Sequence, residues 1–244
     1  MLLYRKDEPL KNMSDNTIQN NLQTTLAMIN NAISQYPYVT PSVTLIAVSK
    51  RQTVANIQLA ASAEQVHFGE NYVQEGVDKI TYLKKELPNL VWHMIGSIQS
   101  NKTRLVAEHF DWIHTIDRVK IAQRLSEQRP KHLLNMNVLI QINIDNESSK
   151  SGILPEDALI LILAVAQLPR LQVRGLMCIP EKNSPLAFER MAILYQNLRQ
   201  SLPSNIAESF DVLSMGMSQD FMSAIAYGAT HIRVGTAIFG VRSI

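Results

Sequence analysis

Eight short apolar runs alternate with amphipathic stretches along this chain, and that alternation limits the possible folds more than any other feature. The runs are Val43–Ser49, Val66–Gly69, Val91–Ile95, Trp112–Ile116, Val138–Ile144, Leu171–Ile179, Phe210–Leu213 and His231–Val234. They are rich in β-branched residues and mostly continuous in polarity, as strands covered on both faces are. Between them lie stretches of helical periodicity: Thr53–Ser62, Tyr72–Glu86, Asn101–His109, Arg118–Glu127, Pro155–Gln167, Pro185–Gln200 and Ser218–Tyr227. Strands that alternate with helices predict a parallel sheet. Eight of them in 244 residues predict a single closed (β/α)8 TIM barrel. An open doubly wound sheet is disfavoured, because no Gly-x-Gly-x-x-Gly follows the first strand.

One helix stands outside the repeat. Ile18, Leu22, Leu26, Ile29 and Ile33 form a stripe over Asp15–Ser34, with Ser14 as the expected cap. Residues 1–13 lack the apolar segment of a signal peptide. They are expected to be a disordered extension, with Met13 an alternative start, and 14–244 the barrel domain.

Composition removes several function classes. A net charge of +2 without a dense basic run gives no footprint for nucleic acid. The single cysteine, Cys178, rules out an internal disulfide and fits a reducing, cytoplasmic setting. No Cys/His cluster has metal-ligand spacing, so no metal is expected. The longest apolar run, Ala158–Ala166, is too short to span a membrane.

In such a barrel the reactive residues collect at the carboxyl ends of the strands. Those ends carry Lys50 after the first strand, Asn71 and Tyr72 after the second, and His93 on the third. Asn143 ends the fifth, with Lys150-Ser151-Gly152 beyond it. Met177 closes the sixth, Ser214-Met215-Gly216-Met217-Ser218 follows the seventh, and Arg233, Gly235 and Thr236 belong to the eighth. Loops after strands seven and eight commonly cradle a phosphate. Ser218 reads as a helix cap that turns the Met217 and Ser218 amides toward an anion. Gly235 and Thr236 add amides, and Ser214 and Thr236 add hydroxyls. Strand alternation points Arg233 into the barrel. An amine nucleophile, a phosphate cradle and an inward arginine suit a ligand with an aldehyde and a phosphate. Pyridoxal 5′-phosphate (PLP) is such a ligand, with Lys50 forming the Schiff base.

From about Asp15 to its C-terminus the chain resembles the pyridoxal phosphate homeostasis protein family, related to the alanine racemase N-terminal domain. The resemblance rests on AVSK at 47–50, FGENYVQE at 68–75, HMIGSIQSNK at 93–102, KSG at 150–152, GLM at 175–177, LSMGMSQD at 213–220 and RVGTAIFG at 233–240. It implies PLP on Lys50, phosphate contacts from Ser214, Met217, Ser218, Gly235 and Thr236, and Arg233 facing the pyridine nitrogen. Asn71 and Met215 are then expected near the cofactor, and His93 is either a cofactor contact or a packed strand histidine. The other histidines read as structural or solvated, Cys178 as a core residue, and Lys79, Lys84 and Lys85 as a solvated helix face. Lys150 sits in a loop that could cover the site.

The expected function is PLP homeostasis and amino-acid balance without turnover. An arginine at the ring nitrogen weakens the ring as an electron sink. Since Ile244 follows soon after the last strand, the second domain that supplies a racemase's other acid/base group is expected to be lacking. The alternatives are a weak amino-acid racemase, using Asn71, Tyr72 or His93, and a Schiff-base aldolase on a sugar phosphate. Expected partners are PLP and recipient apoenzymes, and the expected state is a monomer.

Overall fold

A computed structural model of the chain describes residues 15–36, 42–147, 150–181, 184 and 186–240. The N-terminal extension, the Ser14 cap and Pro185 lie outside the described residues. Eight strands pair in parallel and in sequence order: β1 (Thr44–Val48), β2 (His67–Glu70), β3 (Val91–Met94), β4 (Trp112–Ile116), β5 (Met136–Ile142), β6 (Leu171–Cys178), β7 (Val212–Met217) and β8 (His231–Val234). β1 pairs with both β2 and β8, which closes the barrel and leaves no edge. The expected TIM barrel is therefore the fold.

Ten α-helices are described: α1 (Asp15–Gln35), α2 (Val54–Ser62), α3 (Val73–Leu83), α4 (Thr103–His109), α5 (Val119–Gln128), α6 (Ala158–Ala166), α7 (Ala187–Ser201), α8 (Ser204–Ala207), α9 (Phe221–Ala226) and α10 (Thr236–Phe239). The helix after β8 is a single turn, too short to cover its sector of the barrel. α1 fills that sector by packing against α2, α9 and α10. Its stripe buries Ile18, Leu22 and Ile29, and Asn21 donates to the Ile238 carbonyl at 3.0 Å. The helix that stands outside the repeat in sequence thus completes the ring in space.

Two apolar layers follow from strand alternation. Outward residues such as Ala47, Phe68, Ile232 and Val234 join the helices in the main core. Inward residues Trp112, Leu139, Met177 and Val212 form a smaller cluster inside the barrel. Gly69 leaves room there: a Cβ would stand 2.9 Å from Ile46 Cγ2 and 3.1 Å from Ile95 Cδ1.

The end of β7 departs from the sequence pattern, which stops the strand at Leu213 and begins the next helix at Ser218. The strand continues to Met217, and α9 starts at Phe221. Gly216, at φ +91°, permits this course; a Cβ there would stand 2.6 Å from Ala224 Cβ. Ser218 is therefore not the cap of α9, a role that falls to Asp220.

Candidate functional site

The carboxyl ends of the strands open onto a cavity of about 1300 Å³. Seven of the ten expected site residues line it: Lys50, Asn71, Met217, Ser218, Arg233, Gly235 and Thr236. Val48, Ile95, Glu181, Ser184 and Phe188 line it as well.

Lys50 follows β1 in a turn whose backbone is fixed on both sides. Ser49 N–H donates to the Gly69 carbonyl at 3.0 Å, which continues the ladder by one residue. The Ser49 carbonyl accepts from Lys79 Nζ at 2.7 Å, and Ser49 Oγ donates to Glu70 Oε1 at 2.7 Å. Arg51, at φ +60°, donates its amide to Glu75 Oε1. The same Lys79 ammonium pairs with Glu70 at 2.8 Å and Glu75 at 2.7 Å. Lys79 is 2% exposed and Glu70 0%, so the reading of Lys79 as part of a solvated helix face is corrected. A lysine is stable there because two carboxylates and a carbonyl accept its three protons. Burial raises the Glu70 carboxyl's pKa, with Lys79 and Ser49 acting against the rise.

Asn71 approaches the cavity because Gly96 gives way. A Cβ on Gly96 would stand 2.1 Å from the Asn71 carbonyl oxygen. Asn71 Oδ1 is buried and has no hydrogen-bond partner among the described residues.

Arg233 reaches the cavity from inside the barrel and is 4% exposed. Its guanidinium donates to Ser214 Oγ at 2.7 Å and to the Cys178 carbonyl at 2.9 Å. At the expected phosphate cradle, the Met217 amide donates to Asp220 Oδ1 at 2.6 Å rather than facing outward. The Gly235 amide donates to Ser218 Oγ at 3.3 Å, so Ser218 bridges the loops after β7 and β8.

Three expected residues do not reach the cavity wall. Met215 packs outward into the main core. Ser214 is wholly buried beneath Arg233. His93 lies lower, 0% exposed, stacked on Trp112 at 5.5 Å between ring centres. It contacts His67 and His114, and His231 lies against the same cluster. Read separately, these histidines carried no signal. Their shared inward position on β2, β3, β4 and β8 was the clue, and it required all the strand ranges at once. Cys178 is buried, and burial pushes its thiol up to about 12, as expected of an inert core residue.

Comparison with known proteins shows the family and the fold. Residues 22–243 match the family model described as alanine racemase, N-terminal domain. A pyridoxal phosphate homeostasis protein of Haemophilus influenzae is 50% identical over 231 residues, covering 93% of this chain and 96% of that relative. The PipY protein of Synechococcus elongatus, solved with PLP bound, is 36% identical, with a TM-score of 0.76 over 91% of this chain and 100% of its own. An alanine racemase of Corynebacterium glutamicum shares the fold, at a TM-score of 0.68 and 15% identity over 93% of this chain and 61% of that one. By sequence and by fold, the chain belongs to the pyridoxal phosphate homeostasis protein family, within the alanine racemase N-terminal domain family.

Proposed function

We propose that this chain binds PLP, holds it as a Schiff base on Lys50 without turnover, and so serves cytoplasmic PLP homeostasis and amino-acid balance. The observation that carries the reading is the meeting of Lys50, Arg233 and the Ser218 and Gly235-Thr236 loops on one cavity. PLP bound there supplies an aldehyde that condenses with an amine and a ring that delocalises charge. Lys50 would hold the cofactor through its aldehyde carbon, the condensation releasing water. Ser218, Gly235 and Thr236 would hold the phosphate, with Met217 beside it. Arg233 would face the pyridine nitrogen, where a fixed cation disfavours protonation and so weakens the ring as an electron sink. The buried, unpartnered Asn71 Oδ1 supplies an acceptor for a polar group of the ligand.

The racemase alternative is less well supported. Of its expected acid/base groups, His93 is sealed in the barrel interior, and Tyr72 is 49% exposed and outside the cavity lining. A cofactor held but not consumed is available to recipient apoenzymes. A barrel closed on itself needs no second copy for its core, so the functional unit is a monomer.

An absorption spectrum after incubation with PLP tests the reading. A visible band that is absent in Lys50→Ala, and that borohydride converts to a permanent link, is the expected result. A wild-type protein that shows no band overturns it. Amino-acid racemisation that disappears with Lys50→Ala overturns the claim of no turnover.

A further inference from the structure

Below the cavity, a line of polar side chains replaces the apolar filling common in such barrels. Arg233 donates to Ser214 Oγ at 2.7 Å, and Ser214 Oγ lies 3.0 Å from His114 Nδ1. His114 Nε2 lies 3.0 Å from His93 Nδ1, and His93 Nε2 lies 2.9 Å from His67 Nδ1. These residues belong to β8, β7, β4, β3 and β2, so the line crosses the barrel from its mouth to the first residue of β2. Ser214, His114 and His93 are wholly buried, whereas His67 is half-buried.

We propose that Ser214, His114 and His93 are positioning residues for Arg233, joined in a hydrogen-bond chain of one polarity that starts at the guanidinium and ends at His67. The inference deepens the PLP reading, and its last measurement rests on that reading.

The polarity follows from what each group can donate. A guanidinium only donates, so Ser214 Oγ accepts from Arg233. Ser214 then has one proton to place, and His114 Nδ1 is its only other partner among the described residues. His114 Nδ1 therefore accepts, and its proton sits on Nε2, from which it donates to His93 Nδ1. His93 in turn donates from Nε2 to His67 Nδ1, leaving the His67 proton on Nε2. The opposite order strands a fully buried hydroxyl proton with no acceptor, which native interiors avoid. All three histidines are thus neutral and share one tautomer. Aligned donors of this kind strengthen one another in a low-dielectric interior.

This explains how an arginine with no ion pair among the described residues keeps its orientation at the cavity wall. Its acceptors are a hydroxyl aligned by the histidines and the Cys178 carbonyl. The charged and titratable groups facing the chain are few. Asp220 and the Cys178 thiol stand near Arg233. His231 lies beside His93 and His114, with Arg174 and Asp211 beyond it, and Arg174 covers the Trp112 ring at 5.0 Å. Burial is the largest cause that keeps His93 and His114 uncharged, and the Arg233 guanidinium adds to it at His114.

The test begins with nitrogen-15 NMR of the full chain labelled at histidine, between pH 6 and 8. His67, His93 and His114 are expected with the proton on Nε2, and His93 and His114 without titration. A proton on Nδ1 of His93 or His114, or titration of either, overturns the proposal. Ser214→Ala is expected to shift the His114 signals and to weaken PLP binding by about tenfold, with the Lys50-dependent band still present at saturating PLP. The exposed His132→Ala is the control, expected to change neither. Unchanged PLP affinity in Ser214→Ala overturns the positioning role. The wild-type tautomers need no variant, so misfolding of Ser214→Ala does not shelter the proposal. A wild type that binds no PLP overturns the functional reading alone, and the tautomer order then decides the chain.

Discussion

Lys50 owes its setting to the Lys79 charge, which acts on the residues to either side of it. The Lys79 ammonium holds the carbonyl of the residue before Lys50, and Glu75, which pairs with that ammonium, accepts the amide of the residue after it. Replacing Lys79 by Met leaves the Glu70 carboxylate buried with only Ser49 as a donor. Stranding a buried charge in this way costs about 3–5 kcal/mol of unfolding free energy. Urea unfolding of Lys79→Met at pH 7 should show that loss. The double variant Glu70→Gln/Lys79→Met should recover much of it, because no charge is then left unpaired. Without Lys79 the Glu70 carboxyl loses what opposes its burial and takes a proton at still higher pH. The penalty in Lys79→Met should therefore shrink as pH falls toward 5. A penalty that is small at pH 7, or that does not shrink, refutes the account. PLP binding should weaken in the same variant, since the Ser49 carbonyl loses its partner and Glu75, which accepts the Arg51 amide, loses the ammonium that holds it.

At the scale of elements, the β7–α9 connection shows why the barrel mouth has this shape. Gly216 sits at φ +91° with Ala224 Cβ and Phe221 Cα against the position its own Cβ would occupy. Gly216→Ala meets both an unfavourable backbone conformation and a steric clash. Its cost should reach about 2 kcal/mol or more, a fall in melting temperature of roughly 4–8 °C for a chain of this size. Met222→Ala, on the exposed side of α9, should change stability by no more than about 0.5 kcal/mol. Equal melting temperatures for the two variants would sink the argument. The same connection marks the limit of what pattern reading could find. The strand and helix alternation, the barrel and the strand-end residues were legible because each rests on local periodicity. The extension of β7 through Ser-Met-Gly-Met was not, since Ser214 and Gly216 resemble loop residues until their packing partners are known. Lys79 misled for a related reason. Glu75, four residues before it, was visible on the same helix face, but Glu70 approaches only when β2 and α3 pack together. Ser214 looked like a phosphate ligand because it neighbours the cradle in sequence, whereas strand direction turns its hydroxyl to Arg233 and His114.

The whole molecule inherits a pH dependence from its polar interior. His93 and His114 are held well below the ordinary histidine pKa, and His231 is lowered to about 4, with burial the largest cause in each case. His67 is lowered by burial as well. In the unfolded chain these rings return to about 6.5. Between the two values the unfolded state binds protons that the folded state refuses, so stability is full above about pH 6.5 and falls as the pH drops below it. Each fully displaced histidine removes about 1.4 kcal/mol per pH unit, so three remove about 4 kcal/mol per unit. Glu70 and Asp111 act with the opposite sign, because burial raises their carboxyl pKa values and protonation then favours the folded state. Their contribution offsets part of the loss without reversing it, being two groups against four. A domain with a total stability of about 5–15 kcal/mol cannot sustain such a slope for long. Urea midpoints measured at half-unit steps from pH 7.5 to 5 should therefore hold steady at first, then fall steeply below about 6.5. The midpoint in His231→Gln should fall less steeply, because one of the rings that must stay neutral is gone. Equal slopes for the wild type and His231→Gln would show that His231 itself takes a proton in the folded state, and a flat profile would show that the whole barrel interior does. The fixed histidine chain beneath Arg233 could not survive that result.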